Sequence, residues 1–373
     1  MKKNLFVLLA LTTLFCISCQ NNVEIEKQSE KQEVIEIAEN YVNNLFVRNN
    51  ISQGRSIYST DYPDFLYNKK IIDSAGNTIS FNDLEQKEKD EYVELWKKEM
   101  ITSITDLLET DENILEIMQL ENSATNNAIR SIAKNRNITV NFEEFTNRFF
   151  ENIQKNMKKK DIFINRSSSS GNNKEITSDC LVDSSVEKLK KYYKKGRALI
   201  TLGTNSSSNF TGHASLMYEP SWQEKWESNG LEKIMITSSP KGAKYVSWPD
   251  KTDGVQLEPI GYWAGNSGGS AHKVYIYNIG NYMLKWSKFL DGFKFYNASN
   301  NEYIKAADNA YKYLGKPYAL GTTSTKSFYC SELVWKGWQE AGYNIDHGAN
   351  GFISPLDLMV SLDTQKVISY TNK

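Results

Sequence analysis

The stretch F-Y-C-S-E-L-V-W-K-G-W-Q-E-A-G, Phe328 to Gly342, decides the reading of this chain. Leu333, Val334, Gly337, Trp338 and Ala341 fall on one face at helical spacing, and Gly342 is a natural stop. The Gly-, Ser- and Thr-rich run Gly321 to Ser327 before it is poor helix, so the helix begins near Cys330. In a first turn, unsatisfied N–H groups and the helix dipole favour a thiolate, and the same N–H groups can hold an oxyanion. A free cysteine is also commonly a small buried hydrophobe, and position alone leaves both readings open.

The second informative segment is G-H-A-S-L-M-Y, Gly212 to Tyr218. His213 stands at the mouth of a short apolar strand after the polar loop Asn205 to Thr211, where an imidazole can act as a general base or simply as a hydrogen-bonded structural group. Further strand-like runs occur at Ala198 to Leu202, Ile234 to Ile236 and Val274 to Ile279, separated by Gly, Pro, Asn and Ser. All three histidines, together with Cys180 and Cys330, lie in this part of the chain.

The earlier part has a different texture. Val34, Ala38, Tyr41 and Leu45 repeat at helical spacing, as do Ile101, Ile104, Leu107 and Leu108, and again Phe142, Phe145, Phe149, Ile153 and Met157. Such stripes read as the core of packed helices, and this half carries no histidine. The expected organisation is a signal at 1–19, a helical region at 20–165, a Ser/Gly/Asn-rich linker at 166–178, and a domain of strands and helices at 179–373.

Hydrophobic residues make up 40% and charged residues 24% of the 373 positions, the balance of a globular protein. The net charge of -1 gives no reason to expect nucleic acid as a partner, and runs such as Lys158-Lys159-Lys160 read as solvated helix ends. Lys2 and Lys3 precede an apolar run from Leu5 to Ile17, too short to span a bilayer comfortably and suited to a secretory signal. Ser18-Cys19 and the polar Gln20-Asn21-Asn22 follow, which resembles a bacterial lipoprotein signal with Cys19 as the lipidated residue. Cys16 stands where that pattern usually has Leu. The expected location is the cell envelope, lipid-anchored and facing the periplasm or the cell surface, with Cys180 and Cys330 as the remaining thiols.

Taken together, Gly212-His213-Ala214 and Tyr329-Cys330-Ser331-Glu332-Leu333-Val334 resemble the circularly permuted papain-like hydrolases of the NlpC superfamily, the YiiX/YebB-like group. In that group the histidine strand precedes the cysteine helix. Gly196-Arg197-Ala198-Leu199-Ile200, Gly315-Lys316-Pro317-Tyr318 and Ile353-Ser354-Pro355-Leu356-Asp357-Leu358 agree with it in order, and the resemblance covers about residues 185 to 365. It implies an α+β fold: a permuted papain-like domain with an antiparallel sheet and a nucleophile-bearing helix, preceded here by an all-α region. It also implies a thiol protease or amidase in which Cys330 is the nucleophile and His213 the base, without a cofactor. A third polar residue, often Glu in the family, orients the imidazole from the next strand. Here that strand reads E-K-I-M-I-T-S-S-P, Glu232 to Pro240, so a hydroxyl of Thr237, Ser238 or Ser239 stands in its place, and Ser238, on a strand face with Ile234 and Ile236, is the choice.

The substrate implied by family and address is peptidoglycan peptide. An acyl-lipid hydrolase or acyltransferase with the same dyad is the alternative, and a non-catalytic binding lipoprotein is a third reading, kept open by the missing carboxylate. Glu332 reads as a helix-start carboxylate more than a general acid. His272 and His347 have no neighbours at metal-ligand spacing, so no metal is expected. Gly265 to Ser270 lacks the lysine of a phosphate loop, and Trp222, Trp226, Trp248 and Trp263 read as buried or half-buried before they read as a groove.

Overall fold

A computed structural model describes residues 29–67, 69–132, 141–160, 191–202, 212–218, 234–239, 254–259, 273–286, 289–319, 326–346 and 352–371. Cys16, Cys19, the linker 166–178, Cys180, His272, His347, Trp222, Trp226, Trp248, Trp263 and the segment Gly265 to Ser270 lie outside them.

The helical stripes form as their spacing dictates. Helix α1 (29–52) buries Ala38, Tyr41, Val42 and Leu45. A short α2 (Asp64–Tyr67) leads to the two-residue strands β1 (Ile71–Ile72) and β2 (Thr78–Ile79). Helix α3 (Gln86–Thr110) buries Tyr92, Trp96, Met100, Ile104 and Leu108, recurring every three or four residues. Helices α4 (Glu112–Ile132) and α5 (Phe142–Lys160) pair by way of Leu120, Ala124, Ala128, Phe145, Phe149 and Ile153.

The second half contributes β3 (Ala198–Thr201), β4 (His213–Tyr218), β5 (Ile234–Ser239), β6 (Gly254–Pro259), β7 (Lys273–Ile279), β8 (Tyr282–Trp286) and β9 (Phe289–Lys294). These are followed by α6 (Asn300–Tyr311), α7 (Cys330–Glu340), α8 (Pro355–Val360) and β10 (Thr364–Thr371). A six-stranded antiparallel sheet runs in the order β10-β7-β3-β4-β5-β6. A smaller sheet runs β2-β1-β8-β9, with β1 parallel to β8. The architecture is α+β, with a helical N-terminal region and an antiparallel sheet.

Strand alternation splits the large sheet into two faces. Ala198, Ile200, Ala214, Leu216, Ile234 and Ile236 share a core with Leu333, Val334 and Trp338 of α7. Leu199, Met217, Met235, Val274 and Ile276 form a separate cluster on the other face, with Tyr192 and Tyr193 against it.

The boundary near residue 170 separates two textures of sequence, yet α1, α3 and the α7-facing side of the large sheet bury their apolar residues in one continuous cluster. Polar ties accompany it. Tyr275 of β7 donates to Asp111 between α3 and α4, Lys285 pairs with Glu88 at 2.7 Å, and Lys69 pairs with Asp363.

Gly337 lets α7 lie directly on α6, since a Cβ there would sit 2.6 Å from the carbonyl oxygen of Ala306. Alanine is the better helix former, but here it drives into backbone. Gly337→Ala is therefore expected to lower unfolding stability by about 1–3 kcal/mol. Urea denaturation checks it through a lower midpoint at unchanged slope.

Candidate active site

Helix α7 starts at Cys330, as its flanking residues predict. Tyr329 is the N-cap in extended conformation, and its N–H donates to Glu332 Oε2 at 3.3 Å. Glu332 is thus occupied in closing the helix start, in line with its sequence reading. The Cys330 thiol is buried, 4% exposed, and is a free cysteine with Sγ 4.0 Å from Ser331 Oγ. Burial pushes the thiol pKa up, against the backbone N–H groups of Ala214, Ser331 and Cys330 itself, which favour the thiolate. The helix-start effect expected from the sequence is present, but desolvation outweighs it, and the resting group is a thiol.

His213 opens β4 in register with Thr201 of β3. Its Nε2 lies 3.0 Å from Thr237 Oγ1, and the same hydroxyl lies 3.0 Å from the carbonyl oxygen of Ala214. A threonine hydroxyl has one proton. If it goes to Ala214 O, Thr237 must accept from Nε2–H, which assigns the imidazole proton to Nε2 and the basic lone pair to Nδ1. Burial lowers the His213 pKa to about 3, so the ring is neutral across the physiological range.

A local fault in the sheet makes this possible. The β4–β5 ladder runs from Tyr218↔Ile234 to Ser215↔Thr237 and stops, while β5 remains paired with β6 out to Ser239↔Gly254. Ala214 has no ladder partner on β5. Its N–H goes to the sulfur of Cys330 and its carbonyl to Thr237. Cys330 and His213 are therefore brought to the two sides of one residue, and the sulfur makes no direct hydrogen bond to the imidazole.

Ser238 does not orient the imidazole. It donates to the carbonyl of Phe328 at 2.6 Å, two residues before Cys330, and Thr237 takes the place foreseen for it. Adjacent strand residues face opposite ways. Thr237 lies opposite Ser215 and so shares a face with His213, whereas Ser238 shares the α7-facing side with Ile234 and Ile236.

Other contributors were not legible. Tyr318, on the loop before α7, lies close enough to Cys330 that ionised sulfur raises its phenol pKa beyond the effect of burial. Ile353 grips both neighbours of Cys330: its N–H donates to Tyr329 OH at 2.7 Å, and its carbonyl accepts from Ser331 Oγ at 2.6 Å. Ile353 opens the closing segment of the resemblance, the available signal that this region attends the site. Buried around His213 and Thr237 are Thr201, Ser215 and Ser239, whose hydroxyls have no hydrogen-bond partner among the described residues. No group of His, Cys, Asp and Glu that could hold a metal occurs among the described residues.

Compared with family models, curated proteins and solved structures, the chain finds no match in any of the three.

Two outcomes follow from the geometry. Thr237→Val removes the hydroxyl at nearly constant shape and is expected to shift the His213 ring signals in NMR, while Ser238→Ala leaves them in place. His213 refuses a proton that it takes up when unfolded, so stability should fall as pH drops from about 6.5 towards 3, by at most about 1.4 kcal/mol per pH unit. Urea titrations of wild type and His213→Gln at pH 7, 6 and 5 check the sign: the variant should lose less stability on acidification.

Proposed function

We propose that the chain is an envelope lipoprotein anchored through Cys19 whose permuted papain-like domain is a thiol hydrolase that cleaves an amide bond in cell-wall peptide. The observation that carries this reading is Ala214, which receives the sulfur of Cys330 at its N–H while the preceding residue holds its imidazole on Thr237. The reaction begins when the His213 side chain leaves Thr237, swings past Ala214 to the α7 side of the strand, and accepts the thiol proton on Nδ1. The thiolate then attacks the carbonyl carbon, forming a C–S bond and an oxyanion that the N–H groups of the α7 first turn can stabilise. Collapse breaks the C–N bond, and the imidazolium returns its proton to the leaving amine. Water, deprotonated by His213, then hydrolyses the thioester and restores the thiol.

A second reading, a non-catalytic binding lipoprotein, is favoured by the burial of the thiol and by the lack of a direct sulfur–imidazole bond. Among the described residues no helix is long and apolar enough to cross a membrane, and an acyl group on Cys19 is the proposed attachment.

Mass spectrometry of the purified protein incubated separately with muropeptides and with acyl lipids tests the proposal. Cleavage of muropeptide that disappears in Cys330→Ala is the expected result. Turnover of lipid alone would redirect the chemistry to acyl esters, and turnover of neither by a folded protein would favour the binding reading.

A further inference from the structure

The helical half reaches the nucleophile through a buried polar chain. Tyr41 and Arg48, both on α1, meet at one carboxylate oxygen of α8: Tyr41 OH donates to Asp357 Oδ1 at 2.5 Å, and Arg48 Nη2 to the same oxygen at 2.8 Å. All three residues are buried, with 3% and 1% of the Arg48 and Asp357 side chains exposed. The other oxygen of Asp357 accepts the Ser354 N–H at 2.7 Å, and the Asp357 N–H donates to Ser354 Oγ at 3.0 Å. This capping box fixes the start of α8. Ile353 is the next residue back, and it holds Tyr329 and Ser331 on either side of Cys330. The Tyr329 ring is also seated against Phe352, which packs on Phe149 and Phe150 of α5.

The charges are arranged so that the cation serves Asp357. Glu121 of α4 is buried in the same cluster, where burial first and the Asp357 charge second raise its pKa to about 8, against the pull of Arg48. It is therefore mainly protonated at neutral pH. A buried ion pair is weak evidence for stability, because well-packed apolar residues of similar volume usually serve as well. What a bidirectional set of hydrogen bonds adds is a fixed position for α8, and through it for the Ile353 backbone.

We infer that Tyr41 and Arg48 of the helical region are positioning residues for Cys330, acting through Asp357, Ser354 and Ile353 on the two residues that flank the sulfur. The helical half is in this view part of the nucleophile's mounting. The inference uses the proposed reaction only where turnover is measured.

The test is the rate at which iodoacetamide alkylates Cys330 in the folded full chain between pH 6 and 9, read by mass spectrometry of the Cys330 peptide. Tyr41→Phe and Arg48→Met are compared with Arg55→Met, which removes the half-exposed pair Arg55–Asp64 nearby. Loosening Ile353 exposes the sulfur, so Tyr41→Phe is expected to raise the rate about fivefold and to move its pH midpoint down, the change that loss of one buried hydrogen bond supports. Arg48→Met should do at least as much, Arg48→Lys should recover part of it, and Arg55→Met should leave it alone. An unchanged rate and midpoint in folded Tyr41→Phe overturns the inference, as does an equal rise in Arg55→Met. Should Arg48→Met not fold, Tyr41→Phe decides. If wild type shows no Cys330-dependent turnover, the proposed hydrolase fails, while the alkylation comparison still decides the positioning role.

Discussion

The site depends on Ala214, which pairs with Ile200 of β3 but has no ladder partner on β5. A buried strand residue must place its N–H and carbonyl somewhere, and the usual place for these two is the neighbouring strand. Here β4 and β5 part after Ser215↔Thr237, and Ala214 satisfies itself with the sulfur of Cys330 and the hydroxyl of Thr237. The start of α7 occupies the gap, and Ser238, released from any role at the imidazole, ties down the Phe328 carbonyl. Gly212, at φ 124° beside the Thr201 carbonyl, permits the close approach at the mouth of the strand. Fold and site are thus one constraint: closing the ladder by another pair would occupy the Ala214 backbone groups that face Cys330 and Thr237.

The resting electrostatics follow from burial. The thiol pKa is raised and that of the imidazole lowered, so neither group is charged at neutral pH. A carboxylate beside the ring would favour the imidazolium. Thr237 instead selects a tautomer without lending charge.

What the sequence made legible was local. The helix from Cys330 and the strand from His213 show themselves by spacing, and the burial of Leu333, Val334, Trp338 and Leu216 agrees with those patterns. The face of β5 was the first failure. Choosing between Thr237 and Ser238 needs the register against β4, and residues 219–233 separate the two strands without a short turn to set it. The second was the docking of α1. Its apolar stripe announces a buried face, but nothing in 3.6-residue periodicity says that Tyr41 and Arg48 find their partner more than three hundred residues later, at Asp357.

That long-range partnership bears on what counts as a unit in this chain. An apolar interface alone holds two halves together while tolerating small slides, since dispersion and hydrophobic burial have little direction. Asp357 accepts from Tyr41 and Arg48 on one oxygen and from Ser354 on the other, and each bond fixes an angle as well as a distance. The short α8 shares its apolar core with α1, and its cap and this carboxylate add direction to that contact. Rotation there would carry Ile353 with it, and with Ile353 the hydroxyls of Tyr329 and Ser331. The polar residues of the interface therefore do what its apolar residues cannot: they convert contact between the halves into a defined orientation of the helix that begins with Cys330.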